Sequence, residues 1–534
     1  MLFDWDELNF AETSREMVRT GNYLQPTVNY LPHHEKPPLF FWLQSIFMQL
    51  FGVSSLTARL PNVLCGLVTF GCLAYYAKQL FPNQQRLYWP MFMVMSLLPA
   101  FYFQAGIIDP WFNLFILVGL WPSLTQTQLV WWRLLTSGLL LGLAVLTKGP
   151  AAGLIAGLCW LALLVLQPQR RGERVWHYGA IGALALVPSL VWLAALWQVD
   201  GGYFAREFLD YQWRLFTKED AGHGGFPGYH VVVLLLGCFP AAWYALPALL
   251  QRKAFATTTD QGMRILFWVV LLLFSIVDTK IVHYSSLCYI PLAYFAARTL
   301  AVGEVSANYA KVIRYGLTTT WSLYAVALTL VALAGWLMPQ WLPYIKDTEL
   351  LARLSLPVDW PLYIILPAAV AWAALTWQLY RNRVQGRADA KPQFSERATI
   401  GHAETWLTAA GHLTLTTLVL AATLYTIAPR ILQYTQGSAV AFFQDQKGKD
   451  VFVNVTNYKS YAHHFYADVP PQRYEEGCIE KHCQFYGNRP KPLYFSSKLH
   501  SETNVLEKYP DAKIIYRRGG FTFYHLAPTT ESER

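Results

Sequence analysis

Charge is what this sequence has least of. Only 14% of its 534 residues are Asp, Glu, Lys or Arg, where a water-soluble domain carries about 25%. That shortage excludes a soluble globule. No internal repeat or low-complexity tract stands out. No cleavable signal peptide is visible, because the chain opens directly on Met1-Leu-Phe-Asp-Trp-Asp. Cysteine is sparse. Cys65, Cys72, Cys159, Cys238 and Cys288 lie in apolar runs and read as small hydrophobes. Cys478 and Cys483 stand in polar sequence and are a candidate short-loop disulfide; a zinc site there would need a fourth ligand that the sequence does not place.

What abounds is apolar sequence, 54% of the chain. Runs near twenty residues recur to about residue 430, each long enough to cross a bilayer. The fold class is a polytopic α-helical membrane protein with a small C-terminal α/β domain. The formal net charge of +9 is no nucleic-acid signal, because much of the excess sits in Arg-rich joints between runs. Aromatics reach 16%, which fits interfacial belts and also a cavity for a lipid or sugar.

About twelve spans are expected, near 58–80, 86–106, 108–125, 131–147, 149–167, 177–199, 229–250, 263–279, 283–301, 312–338, 360–380 and 405–428. Lys78, Arg86, Arg133, Arg170, Arg171, Arg174, Arg252, Lys253, Arg264, Arg298 and the basic residues of 381–397 fall in alternate joints, which marks that side as cytoplasmic. The N-terminal segment, the 200–228 loop, the 339–359 loop and the tail then face outward. Residues 5–20 read as a helix on the membrane surface, with Glu12, Arg15 and Glu16 on its polar flank. Residues 38–51 are apolar but short, as in an interfacial or re-entrant helix. A membrane domain over 1–430 and an outward domain over 440–534 follow. In the latter, strands are expected at Val451–Val455, Leu493–Ser496, Lys513–Tyr516 and Phe521–His525, with helices near 458–466 and 501–508.

The few ionisable groups set against apolar sequence all fall on the outward side. A charge at membrane depth is costly and points to a site. Asp6-Glu7 opens the surface helix: one carboxylate could serve as general base, or both could simply favour a helix N-terminus. His33-His34-Glu35-Lys36-Pro37-Pro38 could hold a phosphate through Lys36, and a metal through Glu35 and a histidine, or be a solvated loop with its own ion pair. Lys148 stands at a hairpin apex. At ~4 Å and an effective dielectric near 20, a lysine–phosphate contact gains about 4 kcal/mol before desolvation; the alternative is snorkelling to headgroups. Asp109 precedes Pro110 and suits a turn as well as a catalytic role. Lys280 and Tyr284 could donate to one anion, or Lys280 could neutralise Asp278. The 200–228 loop carries Arg214 and His223 in a Gly-rich setting that could close over a substrate.

Taken in order, Asp6-Glu7, Ala11-Glu12-Thr-Ser-Arg15-Glu16-Met17, Glu35-Lys36-Pro37-Pro38, Thr147-Lys148-Gly149 and Lys280-x-x-His283-Tyr284 resemble the lipid-phosphate-dependent glycosyltransferases of the GT-C class. The nearest look is to bacterial aminoarabinose transferases of lipid A and their protein O-mannosyltransferase relatives. The resemblance implies an inner-membrane enzyme that moves a sugar from a polyprenyl (undecaprenyl) phosphate to an envelope acceptor at the periplasmic face. It implies Asp6 as the catalytic carboxylate, with Glu7 beside it. Lys36, Lys148, Arg214, Lys280 and Tyr284 would hold the donor phosphate. Glu35 and His223 would be metal positions, and Asp109 and His34 would line the cavity. It implies no nucleotide cofactor, a candidate divalent metal, a lipid or glycan acceptor and a monomer. Asn9 stands where those transferases carry a basic residue, and their first transmembrane helix has no counterpart here, as if the start were truncated or placed late. The rival of another class is a transporter. Transporters favour inverted repeats and broken helices meeting at mid-bilayer, whereas these charges sit at outward apexes.

Overall fold

The computed structural model describes the chain except residues 4, 126–129, 168–170, 218–224, 252–254, 390–396, 400–401, 472–483, 486–488 and 530–534. Helix α1 (Trp5–Thr20) and helix α2 (Leu39–Phe51) flank a two-stranded hairpin, β1 (Thr27–Val28) and β2 (Leu31–Pro32). A helical bundle follows: α3 (Leu60–Leu80), α4 (Tyr88–Met95), α5 (Leu97–Tyr102), α6 (Asp109–Thr125), α7 (Trp131–Lys148), α8 (Ala151–Leu166), α9 (Arg171–Asp200), α10 (Tyr203–Thr217), α11 (Tyr229–Gly237), α12 (Ala241–Leu250), α13 (Thr258–Ile276) and α14 (Tyr289–Val302). It is completed by α15 (Ala307–Trp336), the short α16 (Met338–Trp341) and α17 (Thr348–Leu354), α18 (Leu366–Asp389) and α19 (His402–Thr426). Strands β3 (Glu304–Ser306) and β4 (Arg397–Thr399) pair antiparallel beside it.

Every expected span falls on helix. Among the described residues, seven helical stretches are long and apolar enough to cross a membrane, and the pair α11–α12, bent by 119°, makes an eighth. The expected span 86–106 is broken at Ser96, whose backbone is extended. Residues 39–51 form the short apolar helix foreseen.

The C-terminal domain begins after α20 (Ala428–Leu432) and α21 (Ser438–Gln444). Its four strands, β5 (Phe452–Val455), β6 (Leu493–Lys498), β7 (Lys513–Arg518) and β8 (Phe521–Leu526), stand in the order β5-β6-β8-β7. β5 and β6 run parallel and the other pairs antiparallel. The β7–β8 hairpin turns on Gly519-Gly520, both at positive φ (60° and 77°), as a two-residue turn matched to strand twist requires. Helices α22 (Ala462–Ala467) and α23 (Glu502–Lys508) lie where helical sequence was expected.

One expectation is corrected. α1 is a helix, but its polar flank is not in water: Asn9, Glu12, Arg15 and Glu16 are all fully buried. The C-terminal domain meets this flank at Arg15, and the β1–β2 hairpin meets it at Glu16. Arg15 holds Glu12 through Nη2 at 2.7 Å, Asp468 through Nη1 at 3.0 Å and the Val469 carbonyl at 3.1 Å. Glu16 accepts from Thr27 Oγ1 at 2.6 Å and the Tyr30 amide at 2.9 Å. Burial and the neighbouring Glu12 push its pKa up to about 8. The carboxyl therefore takes up a proton on folding, and its contribution to stability is complete below its ordinary pKa of 4.5 and lost as pH rises towards 8. Glu16→Gln keeps the acceptor and carries no charge. Thermal unfolding of this variant should be at least as late as wild type at pH 8, with a flatter pH profile between 5 and 8; an unchanged slope would remove Glu16 as the cause.

Candidate active site

Asp6 and Glu7 are neighbours in the first turn of α1, and neighbours on a helix point about 100° apart. They do different work. Glu7 turns inward and is 1% exposed. Its Oε1 accepts from Arg59 Nε at 2.6 Å and the Gly106 amide at 2.7 Å, and its Oε2 accepts from Arg59 Nη2 at 2.7 Å and the Phe3 amide at 2.6 Å. A Cβ at residue 106 would stand 2.9 Å from the Ala58 carbonyl and 3.2 Å from Glu7 Cγ, so the approach needs glycine. With four donors on two oxygens, Glu7 is an anchor of α1 to α3, not the base expected beside Asp6.

Asp6 turns to the other side and is partly open. Its Oδ2 stands 3.7 Å from His283 Nε2. His283 lies in the 3₁₀ turn Val282–Cys288 that leads into α14, and the adjacent Tyr284 faces Lys36, Asp109, Asp6 and Glu35. Lys148, the last residue of α7, donates to Asp109 Oδ1 at 2.6 Å, and its Nζ lies 5.3 Å from the centre of the Tyr284 ring and 5.5 Å from that of Phe112. Thus Asp6, Glu35, Lys36, Asp109, Lys148, His283 and Tyr284 meet at one end of the bundle. Joints of the other set meet elsewhere: Gln167 Nε2 donates to Gln261 Oε1 at 2.9 Å, and Arg298 reaches Asp260 at 3.0 Å.

Each site lysine already has a carboxylate. Lys148 was expected to need an anion from outside; the buried Asp109 supplies one. An ammonium has three donors, so Lys148 keeps capacity for a ligand oxygen. Lys36 Nζ donates to Glu35 Oε1 at 2.7 Å. Burial alone would raise the Glu35 pKa, but Lys36 and His33 outweigh it and hold the carboxyl below its usual range. Burial likewise works against the charge on Lys36, and Glu35 outweighs it. Burial pushes His33 down to about 4, so it is neutral at pH 7 and its 3.8 Å approach to Glu35 is no ion pair. Beneath Asp109 a cavity of about 20 Å³, lined by Tyr102, Asn113, Ser286 and Tyr289 among others, has room for about one water.

The remaining expected residues are placed as follows. Lys280 is not in the cluster. Its ammonium caps the last turn of α13, donating to Ser275 O at 2.7 Å, Phe274 O at 3.3 Å and Val277 O, where the helix dipole favours a cation. Arg214 sits on α10 with its guanidinium 5.7 Å from the Tyr211 ring, facing His34. The His34 ring packs on Phe204 at 4.5 Å. α10 is tied to the lysine loop by Gln212 Nε2, which donates to the Glu35 carbonyl at 3.1 Å. His223, Cys478 and Cys483 lie outside the described residues. Among the described residues no group of three His, Cys, Asp or Glu side chains could hold a metal, and Glu35 is engaged by Lys36. The described side chains therefore do not fit a metal at Glu35.

Two participants were given no role from the sequence. His283 stood in the quoted Lys280-x-x-His283-Tyr284 motif, and its place beside Tyr284 was its signal. Tyr461, from the C-terminal domain, had none. Its ring packs against Trp5 at 4.4 Å and lies within electrostatic reach of Glu35, Tyr211 and Asp6, at the edge of the site.

Fold and charge cluster together define a multi-pass helical membrane protein with a small C-terminal mixed-sheet domain and a cluster of paired ionisable groups at one end of its bundle. The fold is that of ArnT from Cupriavidus metallidurans in the apo state (TM-score 0.75, 15% identity, 99% of this chain and 95% of that chain). It also matches ArnT from Cupriavidus metallidurans bound to undecaprenyl phosphate (TM-score 0.72, 16% identity, 99% and 95%). Residues 35–192 match the family model described as dolichyl-phosphate-mannose-protein mannosyltransferase. In sequence the chain is similar to undecaprenyl phosphate-alpha-4-amino-4-deoxy-L-arabinose arabinosyl transferase 2 of Pseudomonas fluorescens strain Pf0-1, 30% identical over 55% of each chain. It is also similar to arabinosyl transferase 1 of strain Pf-5, 28% identical over 69% of this chain and 68% of the relative. In the first of these matches the chain spans about half the relative's length.

Removing one member of a buried ion pair costs about 3–5 kcal/mol. Glu7→Ala should therefore lower the melting temperature and the yield of folded protein, while Asp6→Asn should leave both near wild type. Equal thermal stability of the two variants would contradict the division of roles.

Proposed function

We propose that this chain is an inner-membrane glycosyltransferase that moves a sugar from a polyprenyl phosphate to an envelope acceptor on the periplasmic face. The observation that carries the reading is the meeting of Asp6 and His283 with Lys36, Lys148 and Tyr284 at the bundle end that Tyr461 of the C-terminal domain borders. The alternation of basic joints supports a periplasmic orientation for that end.

In this mechanism the acceptor oxygen attacks the anomeric carbon with inversion, and the carrier phosphate departs with the bonding electrons. Asp6 takes the proton of an acceptor hydroxyl, with His283 positioned to hold the carboxylate towards it. Lys36, Lys148 and Tyr284 are in place before reaction to stabilise charge on the leaving phosphate. Both lysines are buffered by carboxylates, so a bound phosphate would share them with Glu35 and Asp109. No step is routed through a metal. A lipid-phosphate donor calls for no nucleotide. The relatives' names make undecaprenyl phosphate-alpha-4-amino-4-deoxy-L-arabinose the first donor to assay; the motif resemblance makes lipid A the first acceptor, and the match over 35–192 makes a protein hydroxyl the second.

Purified protein given radiolabelled sugar on undecaprenyl phosphate should transfer label to one of these acceptors. Asp6→Asn should reduce transfer at least a hundredfold, the low end of a general base's contribution of about 10²–10⁴, at unchanged melting temperature. Lys36→Met and Lys148→Met should each weaken donor binding. Full transfer by Asp6→Asn, or donor movement across the bilayer without glycosidic transfer, would refute the proposal.

A further inference from the structure

A second cleft, of about 310 Å³, opens along the seam between α1, the α2–α3 connection and the C-terminal domain. It is lined by Arg19, Val53, Ser54, Ser55, Gln444, Lys447, Phe465, Tyr466 and Asp468. None of these residues takes part in the site described above. Arg19 stands thirteen residues along α1 from Asp6, about 20 Å at the helical rise.

The charge in this cleft is unbalanced. Asp468 is its one acid, and three cations converge on it: Arg15 at 3.0 Å, Lys447 at 3.7 Å and Arg19. Arg15 is neutralised by Glu12. That leaves Arg19 and Lys447 against a single carboxylate, a net positive charge, with the hydroxyls of Ser54 and Ser55 beside them. Around Val53, which lines the cleft, the chain from 50 to 56 is largely apolar and open. Leu50, Phe51, Val53 and Leu56 are exposed by 69%, 66%, 40% and 67%. They precede α3, which begins at Leu60 and is one of the helices able to cross the membrane, so they stand at the level of the bilayer surface. A positive, hydroxyl-bearing cleft bordered by apolar side chains at that level matches one kind of molecule: phosphate outward, hydrocarbon inward.

We propose that this cleft binds the phosphate headgroup of an anionic membrane lipid, with Arg19 and Lys447 on the phosphate and the 50–56 rim on its acyl chains. The lipid bridges the membrane-embedded part and the C-terminal domain, so the seating of that domain over α1 depends on lipid composition.

The test needs no sugar donor, so its outcome is independent of the transfer reaction. The purified full chain is equilibrated with phosphatidylglycerol and phosphatidylcholine of matched acyl chains, and retained lipid is counted by mass spectrometry. Phosphatidylglycerol should be retained in preference and should raise the melting temperature. Lys447→Glu, at an exposed side chain, should cut that retention about tenfold, the value of one charge-assisted contact, with the melting temperature in phosphatidylcholine unchanged. Lys447→Gln, which adds no charge repulsion, should act in the same direction. Leu56→Ser should also weaken retention, and millimolar inorganic phosphate should not displace the lipid. Equal retention of the two lipids, or retention untouched by both Lys447 variants, overturns the proposal. Full displacement by inorganic phosphate with no effect of Leu56→Ser assigns the cleft to soluble anions and overturns the lipid assignment.

Discussion

Arg15 has no exposed surface, and the structure around α1 follows from that. A buried guanidinium without partners would be prohibitive, so its donors must be met. Glu12 meets it from the same helix, and Asp468 and the Val469 carbonyl meet it from a domain more than four hundred residues away. At the helix's other end the buried Glu7 meets Arg59 at the start of α3. α1 is thus locked at one end to the membrane bundle and along its flank to the C-terminal domain. Asp6 stands one residue before the first of these locks, and the direction in which it points follows from how they fix the helix.

The same constraint organises the candidate site. Groups at the ends of α7 and α6, in the loop before α2 and in the turn before α14 are ionisable residues that the bilayer would reject singly. Paired, they are tolerated: Lys148 with Asp109, Lys36 with Glu35. The pairs set each lysine against a carboxylate, yet each side chain retains donors. That suits the phosphate binding and release that the proposed function requires. The Tyr284 ring beneath Lys148 stabilises the cation without neutralising it.

Much of this was legible along the chain. Apolar runs separated by joints set the helices, and alternation of apolar residues with turn signals set the four strands of the tail, because both patterns are local. The joining of Glu35, Lys36, Asp109, Lys148 and Tyr284 was legible too, since helices of similar length return their joints to the same two levels. What misled was local equivalence. Asp6 and Glu7 look alike in sequence, yet the rotation of about 100° between successive helix positions sends them to different partners. Lys280 looks like Lys148, yet the end of α13 offers it three carbonyls within reach.

By itself the sequence determined the class of fold, the two ends of the bundle and which charges share an end, because hydrophobic length and parity are properties of consecutive residues. Only the tertiary structure decided that the polar flank of α1 is buried rather than exposed on the membrane surface, that Glu7 anchors while Asp6 faces His283, and that Tyr461 reaches the edge of the site. Those outcomes depend on which distant group arrives to satisfy a buried charge, and contacts across hundreds of residues leave no periodic trace in the chain.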